Sequence, residues 1–411
     1  MERLLLLMLL MGASGSAASQ PLAPMEPLST QVVVPLLDAD PRVASAKASM
    51  EAAMQEAGII RRSPYEWIAT ATSQQRRVDS GPNYNEWNVG VGRTIRLPGK
   101  ASADRDISSA VLLEAEASYG KARHEAAKEL MSLWLDWLTA EHALDIANKG
   151  LISAKDSLGA VEKRARAGDA SNLDVSVAKA EQAEQLRMGN DAKVKAASSW
   201  ARLSSRFPGI ERNKIALPMP SKDLGDLASW SERILQESDE LRRAEATRQK
   251  VQGQADRARA DKLPDPTLGV FTTSEQGSRE RIYGVSVSMP IPSGARSARY
   301  SQALSQEEAA RQDAASVRRE LEARVAQEVT LAAGAYESYL IAKGGAEAMT
   351  QNQLQMQRAY ELGEADLQSL LLARRQAVAA STSALQTHVD ALRAHLSLLI
   401  DAHRIWGLDQ S

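Results

Sequence analysis

Tyr283-Gly284-Val285-Ser286-Val287-Ser288-Met289-Pro290-Ile291-Pro292 is the stretch that decides how this chain is read. Tyr283, Val285, Val287, Met289 and Ile291 alternate with Gly284, Ser286, Ser288 and Pro290. Successive side chains on a strand point to opposite faces, so this period of two, apolar on one side and small or polar on the other, predicts a half-buried β-strand. A second stretch lies against it without a gap, 194 positions earlier: Val89-Gly90-Val91-Gly92-Arg93-Thr94-Ile95-Arg96-Leu97-Pro98. Further out, Pro64-Tyr65-Glu66-Trp67 mirrors Pro266-Thr267-Leu268-Gly269, and Val43-Ala44-Ser45-Ala46-Lys47-Ala48 mirrors Leu241-Arg242-Arg243-Ala244-Glu245-Ala246. Downstream, Gly168-Asp169-Ala170 mirrors Gly363-Glu364-Ala365. Each match is weak alone. Four in one order at a nearly constant offset point to an internal duplication, with copies over 19–220 and 221–411.

Each copy carries the same parts. In the first, Asp40 caps a helix with Pro41 at its first position, running to about Gly58. A hairpin follows, its strands expected over about 65–72 and 87–97, joined by a loop containing Ser80-Gly81-Pro82-Asn83. The second hairpin is expected over about 267–274 and 283–291, with a polar turn at Gly277. Both hairpins end in a proline–glycine stop, Pro98-Gly99 and Pro292-Ser293-Gly294.

Long helices come next. No proline interrupts 101–166, nor 295 to the end of the chain. Val325, Val329, Ala332, Tyr336 and Tyr339 step by four, three, four and three, as do Leu385, Val389, Leu392, Leu396 and Leu399. Such 3–4 spacing makes the narrow apolar seam of a coiled coil. About 65 residues at 1.5 Å each predict a helix on the order of 100 Å long. Gly168 and Gly363 break the seams at matching places and read as the tips of two antiparallel helical hairpins, over about 101–207 and 295–405. Phe207-Pro208-Gly209 closes the first, and Pro218, Pro220 and Gly225 mark the connector. The expected fold class is therefore mainly α with a small β part.

Composition narrows the function. Lys+Arg number 50 and Asp+Glu 52 among 411 residues, which argues against a basic nucleic-acid binder. The absence of cysteine excludes disulfides, thiolate metal sites, cysteine nucleophiles and a lipid-anchored amino-terminal cysteine. At the amino terminus Arg3 precedes the apolar run from Leu4 to Met11 and the small residues Gly12 to Ser19, with Ser16-Ala17-Ala18 at the cleavage positions. This is the pattern of a signal peptide over 1–18, too short to cross a bilayer that needs about twenty residues. No later segment is apolar enough to span as a helix. In an exported chain, alternating strands flanked by tyrosine and tryptophan suggest an outer-membrane barrel. Four strands cannot close a lumen, but three chains would supply twelve. Arg93, at the matched outward position of Val287, is then expected near the membrane interface.

These features together resemble the TolC-like outer-membrane efflux protein family. The likeness runs from about Leu36 to Trp406 and rests on architecture, repeat spacing and the segments around Gly168 and Gly363. Leu97-Pro98-Gly99-Lys100 and the compact length are most similar to the heavy-metal (cobalt–zinc–cadmium) branch. The resemblance implies a homotrimer with a transmembrane twelve-stranded barrel in outer-membrane lipid and an α-helical tunnel across the periplasm. It further implies the exit duct of a tripartite pump, joined by a periplasmic adaptor to an inner-membrane, proton-driven efflux transporter. Such a duct performs no catalysis and holds no cofactor. Its adaptor contacts would be the tips: Gly168, Asp169, Ala170 and Ser171 with Leu362, Gly363, Glu364, Ala365 and Asp366. The same end would close as a gate. Where some relatives place a gate aspartate, six residues past the second tip glycine, this chain has Ser369, while the first copy has Asp174; Glu364 and Asp366 are the substitutes. Heavy-metal cations are the expected cargo, with drugs or other small molecules the alternative. A periplasmic coiled-coil adaptor or scaffold is the competing reading, and the alternation from Tyr283 to Ile291 counts against it.

No resident metal site is expected. His388 and His395 lie seven apart, about two helical turns, too far to ligate one ion jointly. These and His124, His142 and His403 read as solvated or interface residues, and Met349 and Met356 as seam fillers. Asp104 and Asp106 carry no hydrolase signature, and Glu125 with Lys121 and Lys128 reads as ordinary helix-face pairing. The chain has no P-loop, nucleophile elbow or zinc-protease motif.

Overall fold

The computed structural model describes residues 28–221 and 226–408, so the segment read as a signal peptide lies outside the described residues. Twelve elements follow in order: α1 (Thr30–Asp38), α2 (Pro41–Arg61), β1 (Trp67–Arg76), β2 (Tyr84–Thr94), α3 (Pro98–Ala167), α4 (Asn172–Arg206), α5 (Leu227–Glu237), α6 (Asp239–Ala260), β3 (Thr267–Glu275), β4 (Glu280–Ser288), α7 (Gly294–Glu361) and α8 (Leu367–Asp401). The series helix, hairpin, long helix, shorter helix thus occurs twice. The helix at Pro41 starts as its residues dictate: the Asp40 side chain accepts the Arg42 N–H at 2.7 Å, and Pro41, which has no N–H to satisfy, takes the first helical position.

Helices α3 and α7, of 70 and 68 residues, are each about 100 Å long at 1.5 Å per residue. Neither could be stable on a narrow stripe in isolation; each is lined end to end by partners. α2 and α6 pack along the part of α3 nearest the sheet, α6 along α7, and α4 and α8 cover the parts leading to the tips. The expected seams are largely buried: Val325, Ala332 and Tyr339 on α7 and Val389, Leu392, Leu396 and Leu399 on α8 are buried, while Val329, Tyr336 and Leu385 are half-buried. A single large core gathers midway, where Trp134, Trp137 and Leu138 of α3 meet Leu203, Phe207, Trp230, Ile234, Leu398 and Ile400. α1 adds Val33, Leu36 and Leu37. The last described turn closes back on the first, Trp406 Nε1 donating to the Leu28 carbonyl at 2.9 Å. No helix among the described residues is long and apolar enough to cross a membrane.

The four strands form one antiparallel sheet in the order β1-β2-β3-β4. The two hairpins join through β2 and β3, with Trp87 opposite Ser274 and Thr94 opposite Thr267. The strand limits differ from the sequence reading. β2 ends at Thr94: the Ile95 N–H still bonds the opposed Pro266 carbonyl at 2.8 Å, but Pro266 has no N–H to return, and the Leu97 N–H goes to Asp265 Oδ1 at 3.0 Å. Pro98 therefore opens α3 rather than closing a strand. β4 ends at Ser288, since Pro290 and Pro292 have no N–H for the ladder.

Sheet and helices meet at a buried ionic node. Lys100, only 2% exposed, places Nζ 3.0 Å from Asp265 Oδ2 and 3.2 Å from Asp261 Oδ1. The Tyr65 hydroxyl donates to Asp265 Oδ2 at 2.6 Å. Beside it, Arg96 donates to the Ile60, Arg61 and Arg62 carbonyls and, at 2.8 Å, to Asp104, which also accepts from Arg257 at 2.9 Å. Asp104, which the sequence places in a merely charged helix, is thus a structural anchor. The hydrogen bond to Asp265 pushes the Tyr65 hydroxyl up to about 12. Asp265 is held below the usual carboxylate range: burial opposes this, but the Tyr65 hydroxyl, the Leu97 N–H and Lys100 outweigh it. A tyrosine whose folded pKa is raised contributes stability that is complete below its unfolded value near 10 and is lost as pH rises through about 12. Unfolding midpoints should therefore fall between about pH 10 and pH 12 in the parent protein. In Tyr65→Phe that alkaline loss should shrink; an unchanged alkaline profile would remove Tyr65 from the node.

Candidate functional site

Two ends of the molecule carry features that its fold does not need. The first is the sheet. Its register places Ala69, Ala71, Trp87, Val89, Val91, Leu268, Val270, Tyr283, Val285 and Val287 on one face. This face is uncovered; Val285, for instance, is 79% exposed. The opposite face carries Thr70, Thr72, Asn88, Gly90, Gly92, Gly269, Thr273, Ser286 and Ser288. Ile68, Phe271 and Ile282 are the large apolar exceptions there, and the Phe271 ring fills the space that a side chain at Gly284 would need. An apolar outer face and a small, polar inner face are the dyad pattern of a lipid-facing barrel wall. The strands have 10, 11, 9 and 9 residues, against the roughly 9–11 that a tilted strand needs to span a bilayer.

Trp67 marks the helix-side end of the apolar face, and Trp87 and Tyr283 mark the far end. Arg93, the one cation on that face between Trp67 and Leu268, sits at the helix-side end of β2. Its Nε donates to the Tyr65 carbonyl at 3.1 Å and its guanidinium lies 5.6 Å from the Trp67 ring centroid. β1 and β4 each have one edge without a partner strand among the described residues.

The second end is the pair of tips. Gly168 and Gly363 have φ of +87° and +79°, the left-handed region that ends a helix. Gly168 N–H bonds the Ala165 carbonyl and Asp169 N–H the Arg164 carbonyl; Gly363 and Glu364 do the same with Tyr360 and Ala359. Both tips are therefore complete Schellman turns. The next helix starts are mirror images in chemistry. Ser171 caps α4, accepting the Asp174 N–H at 3.0 Å while Asp174 accepts the Ser171 N–H, a capping box. Asp366 caps α8, accepting the Ser369 N–H at 2.8 Å and the Ser369 hydroxyl at 3.0 Å. The serine and the aspartate have exchanged places between the two copies. Asp174 and Asp366 are thus helix caps as well as exposed acids, and the backbone N–H of Ser369 holds the Asp366 carboxyl below its ordinary range.

The structure brings the two tips together. Val161 and Ala178 from the first hairpin pack on Leu367 and Leu371 from the second, and Arg164 stacks 5.1 Å from the Tyr360 ring centroid. Ala170 joins this small core, while Leu362 stays exposed. Leu173, 71% exposed one residue inside α4, is a tip residue that sequence reasoning passed over; its apolar character in a polar segment was the available signal.

The histidines are not solvated. His124 Nε2 lies 2.7 Å from Asp401, His142 Nε2 2.9 Å from the Ile215 carbonyl and His388 Nε2 2.7 Å from the Pro218 carbonyl. His395 is buried, and burial pushes it, like His388 and His403, below the usual imidazole range. His142 and His388 instead fasten the extended connector, 208–221, along the helices. Lys121 pairs with Glu125 at 3.7 Å, but Lys128 turns away to Asp401 at 2.6 Å. No group of three or more histidines and acids among the described residues could hold a metal ion.

Comparison with known proteins bears on both ends. The family model described as "Outer membrane efflux protein" matches residues 32–206 and 230–399. The structure is similar to that of the outer-membrane channel OprN, at 20% identity and a TM-score of 0.72, covering 92% of this chain and 90% of that one. It is similar to the outer membrane protein VceC from Vibrio cholerae, at 16% identity and a TM-score of 0.74 over 92% and 95%. CusC, whose structures concern transmembrane channel formation, gives 15% identity and a TM-score of 0.71 over 91% and 92%. No curated protein sequence matches this one. With residues 32–206 and 230–399 both matched, this protein belongs to the outer membrane efflux protein family and is an efflux channel of the outer membrane.

Proposed function

We propose that three copies of this chain close a twelve-stranded barrel and form the exit duct of a tripartite efflux system, passing heavy-metal cations from an inner-membrane transporter through a periplasmic adaptor to the outside. The sheet carries this reading. Its apolar face is uncovered and its two outer edges are unpaired. Each unsatisfied backbone group in hydrocarbon costs several kcal/mol, and only closure removes the edges. Eight strands from two chains would close on an interior filled by side chains, whereas twelve from three leave room for a passage. The two copies, 19–220 and 221–411, each supply one hairpin to it, and the segment 1–18 directs export. Cation cargo is supported by the acids at the tips and by the Leu97-Pro98-Gly99-Lys100 junction that resembles the metal branch.

Extracted in mild detergent, the protein should run as a trimer that dissociates on heating and should conduct ions in planar bilayers. Recovery as a water-soluble monomer would overturn the duct and favour the scaffold. In cells lacking their own channel, its co-expression with a cognate pump and adaptor should restore growth on cobalt, zinc or cadmium; rescue on drugs alone would reassign the cargo.

The tips supply the adaptor contacts, through Gly168, Asp169, Ala170 and Ser171 and through Leu362, Gly363, Glu364, Ala365 and Asp366. At Gly363 a side chain would meet no atom within 4 Å, so valine there acts through backbone strain alone, about 1–2 kcal/mol. Gly363→Val should therefore leave the trimer assembled while adaptor crosslinking drops; undiminished crosslinking would place docking elsewhere. The gate acids are Asp174, Glu364 and Asp366. Asparagine caps a helix as well as aspartate does, so Asp366→Asn removes charge without removing the cap. Combined with Glu364→Gln it should lower cation over anion permeability in single-channel recordings, and unaltered selectivity would exclude these two as the selecting acids.

A further inference from the structure

Between the two helical hairpins, α3, α4, α7 and α8 enclose a cavity of about 400 Å³. Arg374 of α8 lines it and reaches across to the other helices. One terminal nitrogen, Nη1, donates to the Ser153 carbonyl at 3.2 Å and to the Ser157 hydroxyl; the other, Nη2, donates to Gln357 Oε1 at 3.3 Å. All three acceptors are neutral. Its Nε is buried with no acceptor. Its neighbour Arg375 lies 3.8 Å from Glu181, whereas Arg374 makes no ion pair among the described residues. Lys149 lines the same cavity and likewise has no ion pair among them. Glu181 is the one carboxylate in the lining, and it already accepts from Gln185 Nε2 at 3.0 Å.

A cation withdrawn from water with only neutral acceptors is costly, and proteins meet that cost with a counter-charge. Burial holds the Arg374 guanidinium below its ordinary range, outweighing the more distant charges of Asp156, Glu181 and Glu361, none of which pairs with it. Here the half-buried Arg374 and the exposed Lys149 face one half-open space, with hydroxyls from Ser153, Thr350 and Ser381 around it. A guanidinium matches an oxyanion through paired N–H donors, and an ammonium adds a point charge.

We propose that this cavity is an anion-binding site, taking a small oxyanion of the phosphate or sulfate class between Arg374 and Lys149. Because Arg374 comes from α8 and Lys149 from α3, the bound anion braces the two hairpins against each other above the tips. The site depends on neither the cargo nor the trimer.

The test is thermal unfolding of the purified full-length protein, with chloride exchanged for inorganic phosphate, and separately for sulfate, at constant ionic strength. These anions also stabilise proteins generally by exclusion from their surfaces, so the readout is the saturable part of the response. The parent should show a saturable rise in midpoint. Arg374→Gln should abolish it, Lys149→Gln should weaken it, and Arg374→Lys should keep part of it. In chloride, Arg374→Gln should be at least as stable as the parent, because it removes an uncompensated charge. An equal saturable response in Arg374→Gln, or none in the parent, would overturn the site. So would a loss of stability in chloride shared by Arg374→Gln and Glu181→Gln, which would make Glu181 the counter-charge.

Discussion

The four-stranded sheet and the long helices meet at one carboxylate. Asp265 accepts from the Leu97 N–H, the Tyr65 hydroxyl and Lys100, drawing on the ends of β2, the segment before β1 and the first turn of α3. With Lys100 2% exposed, removing its partner would strand a charge at a cost of several kcal/mol. The angle at which each strand leaves its helix is therefore not free. Arg96, Asp104 and Arg257 extend the same node to the end of α2 and to α6. Everything beyond it, the strand register above and the line of α3 and α7 below, is set from this point.

At the other end the chemistry is local. The turns at Gly168 and Gly363 satisfy their own helix ends by backbone bonds, and the following helices are capped by serine and aspartate in exchanged positions. A tip that closes its own hydrogen bonds is ordered without a partner, leaving its outward side chains, Leu173 and Leu362 among them, available for one. Two of the exposed tip acids, Asp174 and Asp366, also cap helices, so charge and local order are coupled in the same residues.

Much of the titratable chemistry proved structural. His124 bonds Asp401 at the end of α8, and His142 and His388 hold the connector by its carbonyl groups. Scattered histidines with no shared spacing read from sequence as solvated or interface residues, and which of the two is hidden because their partners, a carboxylate 277 positions away and carbonyls of a non-repeating strap, leave no periodic trace.

The sequence by itself determined the elements: two alternating hairpins, two long seams, two glycine tips, and so the family. These depend on short-range physics, namely the periods of strand and helix, the φ freedom of glycine and the missing N–H of proline, each written within a few residues. β2 and β4 each stop about three residues short of the sequence reading because Pro266, opposite Ile95, and Pro290 have no N–H for the ladder, while the Leu97 N–H goes to Asp265. Which hairpin neighbours which, the pairing of Lys100 with Asp265 and of Asp104 with Arg257, and the unpaired Arg374 between the hairpins were decided only by the tertiary structure. Such contacts join residues more than a hundred positions apart, and a charge reveals whether it has a partner only when the chain has folded around it.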